Sequence, residues 1–120
     1  MLNSHRYHVC ACRPIANIVA HDPLAVADYR SIDLEQDLVT TRFIYPDRET
    51  STNSFRYSPG HKWYYLSDQT PDEVTLFKCF DSDVDKARFA LHSAFADKTS
   101  PADAPLRQSI EVRAMVFDTE

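Results

Sequence analysis

Apolar and β-branched residues of this 120-residue chain fall in short runs, each closed by a turn signal, and none keeps the helical period of an amphipathic helix. Tyr7 to Cys12 reads as a strand ended by Arg13-Pro14, because proline lacks a ladder donor and pushes its predecessor towards extended geometry. Leu38 to Tyr45, Ser54 to Tyr57, Lys62 to Leu66 and Val74 to Phe80 are further strand candidates, rich in β-branched and aromatic residues. Arg88 to Phe95 is another, with His92 in its middle, and Ser109 to Phe117 is the last. In that last run Ile110, Val112, Ala114 and Val116 share one face, and Glu111, Arg113 and Met115 the other. Asp22 to Ala27 is expected to be irregular or one helical turn, Ser31 to Glu35 a turn capped by Ser31, and Asp83 to Ala87 a short helical turn. Lys98 to Pro105 reads as loop. The pattern predicts an all-β sandwich or barrel with short helical turns, in a single domain.

Composition adds a constraint on the turns. There is one glycine, Gly60, against seven prolines, so reversals must rest on Pro, Asp, Asn and Ser. A net charge of −5 argues against a nucleic-acid surface, which shows a basic stripe. No apolar run approaches the roughly 18 residues that span a bilayer, and Met1 to Arg6 lacks the apolar core of a signal peptide. The expectation is a cytoplasmic protein without membrane partners. Cys10, Cys12 and Cys79 are too few and too oddly spaced for a disulfide framework. Cys10 and Cys12 alternate along one strand face and read as buried reduced thiols, a zinc pair with His5 and His8 being the weaker alternative.

Several short motifs occur in a fixed order. Cys12-Arg13-Pro14-Ile15 stands where a Trp-Arg-Pro stretch would be expected, followed by Asp22-Pro23-Leu24-Ala25 and Asp37-Leu38-Val39. Then come His61-Lys62-Trp63-Tyr64-Tyr65, Asp72-Glu73-Val74 and Leu76-Phe77-Lys78-Cys79-Phe80-Asp81-Ser82. His92-Ser93-Ala94-Phe95 and Arg107-Gln108-Ser109-Ile110-Glu111-Val112-Arg113 close the series. This order, spanning about residues 7 to 117, resembles the C-terminal part of the AsaB hydroxylase/desaturase family, the CmcJ/NvfI-like group of fungal secondary metabolism. The resemblance implies a partial double-stranded β-helix, or jelly-roll, oxygenase using Fe(II) and 2-oxoglutarate to hydroxylate or desaturate a small natural product. It also implies a facial triad of two histidines and one carboxylate around the iron.

Within that resemblance His92 is the candidate iron ligand, because a histidine strand follows the strand ending in Asp81 and precedes an arginine-bearing last strand. A half-exposed strand histidine without metal is the alternative. His61 competes for a catalytic role beside Trp63, Tyr64 and Tyr65, aromatics that would either line a substrate pocket or belong to the core. Arg107, Ser109 and Arg113 are the candidates for the carboxylate of 2-oxoglutarate, since a planar guanidinium can grip a carboxylate through two parallel bonds. Solvated surface arginines are the alternative.

The resemblance also implies a His-x-Asp pair upstream of the Trp-Arg-Pro stretch, whereas this sequence contains no His-x-Asp or His-x-Glu triplet. His21-Asp22 is adjacent, and neighbouring strand residues point to opposite faces. A truncated jelly-roll is therefore expected, with an open sheet edge that invites a homodimer. Three functional expectations stand together. They are an oxygenase completed by a partner, a metal-free relative that binds or isomerises a natural-product intermediate with His61, His92 or Asp81 as acid/base groups, and an inactive remnant.

Overall fold

The computed structural model describes residues 6–117, which form eight strands and one 3-10 turn. Three strands, β1 (Arg6–Pro14), β6 (Thr75–Asp81) and β8 (Ser109–Phe117), make one antiparallel sheet in the order β6-β1-β8. A second sheet has the order β5-β2-β7, from β5 (Trp63–Tyr65), β2 (Leu24–Ala27) and β7 (His92–Ala94). β3 (Leu38–Ile44) and β4 (Glu49–Phe55) form a separate hairpin. The expected all-β architecture is what the chain adopts. No described helix is long and apolar enough to cross a membrane.

The two three-stranded sheets face each other across a small core. Residues directly opposite in an antiparallel ladder share a face, and the register sets Phe77, Cys10 and Arg113 in one row and Thr75, Cys12 and Glu111 in the next. Cys10, Cys12 and Phe77 are buried, with Leu24, Val26, Cys79 and Ala90 packed against them. Val26 pairs with His92, so His92 shares the face of the second sheet that looks into this core. The three cysteines are free thiols. Burial pushes Cys12 up from its ordinary range, with the Glu111 carboxylate adding to it, and burial likewise pushes Cys79 up. Both thiols therefore stay protonated and inert near neutral pH.

The opposite face of the first sheet is open. Leu76, Ala11 and Val112 form a row across it, with Leu76 and Val112 more than half exposed. The chain exposes 9088 Å², where a compact monomer of its mass would expose about 6,600 Å². β8 has a partner on one side only, so its outer edge is unpaired among the described residues.

Local structure departs from the sequence expectation in five places, the first being β4, which runs over Glu49–Phe55 where the sequence predicts Ser54 to Tyr57, because its polar residues carry no strand pattern. Asp22 to Ala27 is not irregular, because Leu24–Ala27 is the central strand of its sheet, held from both sides. The capped turn lies earlier than expected, since Asp28 caps Tyr29–Ser31 by accepting from the Arg30 amide. Ser31 instead donates to the Asp28 carbonyl and accepts from the Lys62 amide. Asp83 to Ala87 is a non-helical turn, and the strand expected over Arg88 to Phe95 is confined to His92–Ala94. Turns do rest on aspartate: Asp22 and Asp68 take positive φ of 49° and 53°, a region Asp tolerates better than most residues.

Candidate functional site

A cavity of about 520 Å³ opens between the sheets and the hairpin. It is lined by Arg113 of β8, Cys79 and Phe80 of β6, the segment from Arg88 to His92, and Ser51, Thr52, Asn53 and Phe55 of β4. His92 and Arg113, far apart in sequence, thus meet at one cavity. A smaller recess of about 180 Å³ between β1 and β8 also touches Arg113 and Cys79, together with His8 and Met115.

The segment leading into His92 is pinned from several sides. The Ala90 amide donates to the Lys78 carbonyl at 2.8 Å, and the Ala27 amide donates to the Leu91 carbonyl at 2.9 Å. Asp81, fully buried, pairs with Lys78 and accepts from the Asp83 amide, while Arg88 Nε donates to the Asp81 carbonyl at 3.0 Å. Asp81 therefore holds the turn rather than facing the cavity as an acid/base group.

The His92 ring packs on Phe77 at 4.4 Å between centroids. Its Nδ1 lies 3.0 Å from the Ala90 carbonyl. A carbonyl can only accept, so Nδ1 donates this bond, and in the neutral ring the lone pair is then on Nε2. This is the arrangement found at metal-binding histidines, whose second nitrogen is fixed by a backbone carbonyl or carboxylate. Among the described residues no group of three His, Cys, Asp or Glu side chains could hold a metal ion. His5 lies outside the described residues.

The other site candidates separate. Arg113 sits on the cavity face, opposite Cys10, with its side chain 76 % exposed and 3.8 Å from the Glu111 carboxylate. Arg107 and Ser109 lie near the Cys12 thiol, which Ser109 hydrogen-bonds, and they do not line the cavity. Four residues separate Ser109 from Arg113, about 13 Å along a strand.

His61 has a different position. Its side chain is 2 % exposed, with Nε2 2.8 Å from Asp37 Oδ2, and it packs edge-on against Phe55 and Trp63. This cluster, with the Arg56 amide donating to the Asp37 carbonyl, locks the base of the β3–β4 hairpin. Trp63 is half-buried there, while Tyr64 and Tyr65 are exposed and line no part of the large cavity. The His61 hydrogen bond, then the Asp33 amide, holds the Asp37 carboxyl below its ordinary range. A depressed folded value adds stability above the unfolded value of about 3.9 that is lost as pH falls through the folded one. Asp37→Asn should therefore lower the melting temperature clearly at pH 6, with the gap to the wild type closing below about pH 4. A gap unchanged down to pH 3 would count against this pair.

Comparison with known proteins gives the family to which this chain belongs. Residues 1–117 match the family model described as "Oxidoreductase/YMDC permease-like domain". The chain belongs to this family, and the relatives it resembles include the hydroxylases/desaturases efuI and asaB. It is 41 % identical to the hydroxylase/desaturase efuI of Hormonema carpetanum, over 89 % of this chain and 39 % of that protein. It is 39 % identical to the Fe(II)/2-oxoglutarate-dependent dioxygenase nvfI of Aspergillus novofumigatus, over 88 % of this chain and 38 % of that one. The solved structure of the iron and alpha-ketoglutarate-dependent endoperoxidase NvfI superimposes with a TM-score of 0.87 at 37 % identity, covering 99 % of this chain and 44 % of that chain. The fold is thus that of a jelly-roll dioxygenase, and the chain spans less than half the length of these relatives.

Proposed function

We propose that the chain carries the distal iron histidine, the 2-oxoglutarate anchor and the substrate cavity of a fungal Fe(II)/2-oxoglutarate-dependent hydroxylase or desaturase of secondary metabolism. The observation that supports this most directly is His92, with Nδ1 tied to Ala90 and its Nε2 lone pair left open, on a cavity shared with Arg113. Iron bound there would supply the oxidising power, with O₂ and 2-oxoglutarate as co-reactants. The chain's own residues would do the positioning: the Ala90 carbonyl fixes the ring tautomer, Phe77 fixes its plane, and Arg113 offers a cation to a carboxylate. Arg107 and Ser109 are assigned a supporting role at the Cys12 end of the same sheet face. His61 is assigned to holding the hairpin that walls the cavity. The remaining iron ligands would come from beyond residues 6–117, and the free edge of β8 is where further strands would join, from the same polypeptide or a second copy.

Anaerobic titration calorimetry with Fe(II) and 2-oxoglutarate tests the reading. The expected result is saturable 2-oxoglutarate binding that tightens with Fe(II), and loss of that metal dependence in His92→Ala. Metal dependence unchanged in His92→Ala would remove His92 as a ligand.

A further inference from the structure

The β3–β4 hairpin makes one whole wall of the large cavity, although its ladder joins neither of the other sheets. Strand alternation puts Ser51, Asn53 and Phe55 on a common face, and these three line the cavity. The base of the hairpin is fixed by the Asp37–His61 pair and by Phe55 packed on Trp63 at 5.3 Å. The wall is therefore set in place before any ligand arrives.

Its chemistry is directional. Thr40 Oγ1 donates to Asn53 Oδ1 at 3.1 Å, which occupies the amide's acceptor end and leaves its two N–H donors for a ligand. Ser51 adds a hydroxyl on the same face. Around them the lining is mixed: Phe55, Phe80, Phe89 and Leu91 give apolar surface, while Thr52, Arg88, His92 and Arg113 are polar or charged. Phe89 is braced edge-on by Tyr29 at 5.4 Å and Phe80 carries Arg88 above its ring, so these surfaces are held in place. A cavity of this size suits a drug-sized ligand whose orientation is set by a few polar groups.

We infer that Asn53, assisted by Ser51, is the specificity-determining residue of the cavity. It recognises a carbonyl or ether oxygen on a compact substrate that lays an apolar ring face against Phe55, Phe80 and Phe89, and thereby fixes which edge of that substrate faces His92. The inference rests on the reading of this cavity as the substrate site. A ligand bound over Asn53 takes its exposed donors out of water, so an analogue lacking the oxygen covers them and leaves them unpaired.

The test uses the isotope-labelled chain and two probes of one skeleton: 1-decalone, a fused carbocycle with one carbonyl, and decalin, which has none. The nuclear magnetic resonance signals followed are the Asn53 side-chain amide and the backbone amides of Ser51 and Phe89. The expected result is binding of 1-decalone at least about fivefold tighter than decalin. Asn53→Ala should erase most of that preference and leave decalin unchanged, and Ser51→Ala should erase a smaller part. Equal binding of the two probes, no binding of 1-decalone, or a preference intact in Asn53→Ala overturns the inference. Asn53 is exposed, so its variant keeps the fold. Fe(II)-dependent 2-oxoglutarate binding, measured on the same preparations, reports on the cofactor reading alone. Its failure beside an intact 1-decalone preference sinks that reading and leaves the wall standing, and the reverse sinks the wall.

Discussion

Arg113→Ala is expected to weaken 2-oxoglutarate binding about ten- to thirtyfold, while Arg107→Ala leaves it within about twofold. Losing one partner of a desolvated charge pair costs roughly 2–5 kcal/mol. Arg113 falls at or below the low end because its side chain is 76 % exposed and solvent screens part of the attraction. The contrast with Arg107 follows from position: Arg113 lines the cavity with His92, and Arg107 sits beside Cys12. Arg113→Lys should recover only a fraction, since a lysine is a point charge without the two-pronged geometry a carboxylate matches. Calorimetry with 2-oxoglutarate on the three variants checks this. Equal losses in Arg113→Ala and Arg107→Ala would mean that the anchor is shared between the two ends of the sheet face.

Phe77→Ala should be the most destabilising single truncation, costing about 3–5 kcal/mol. Phe77 is 7 % exposed, lies in the core with Cys10 and Cys12, and carries the His92 ring on its face. For a domain of this size that loss lowers the melting temperature by roughly 10–25 °C, and it is a large share of the 5–15 kcal/mol such domains have in total. Phe77→Leu keeps most of the volume and should cost well under half as much. Urea unfolding of both variants measures the difference. A loss below about 1 kcal/mol in Phe77→Ala would show that the core closes over the cavity.

The sequence made some of this architecture legible and hid the rest for physical reasons. Ser109 to Phe117 was readable because its strict alternation of side chains is the signature of a ladder, and the strand has those bounds. β2 was hidden because Leu24-Ala25-Val26-Ala27 is short and alanine-rich, and only pairing with β5 and β7 makes it extended. β4 was largely missed because Glu49-Thr50-Ser51-Thr52-Asn53-Ser54-Phe55 is polar on both faces. Its register comes from β3 and from cross-strand bonds such as Thr41 to Ser54. His92 and Arg113 could be singled out by order, but nothing local told Arg113 from Arg107. The meeting of Asp37 with His61 across 24 residues has no sequence signature at all.

The position of β1 and β2 has a consequence for how the chain comes to be folded. Each is the earliest strand of its sheet and also its centre. Cys10 waits for Arg113 about 100 residues later, and Val26 for His92 about 70 residues later. Of the three sheets only β3–β4 can close locally, so the cavity wall can assemble while the ribosome is still adding residues and the two sheets cannot. Among the described residues the last strand, β8, completes the first sheet. Refolding from denaturant should accordingly be slow for so small a domain, its rate set by long-range closure of β8 onto β1.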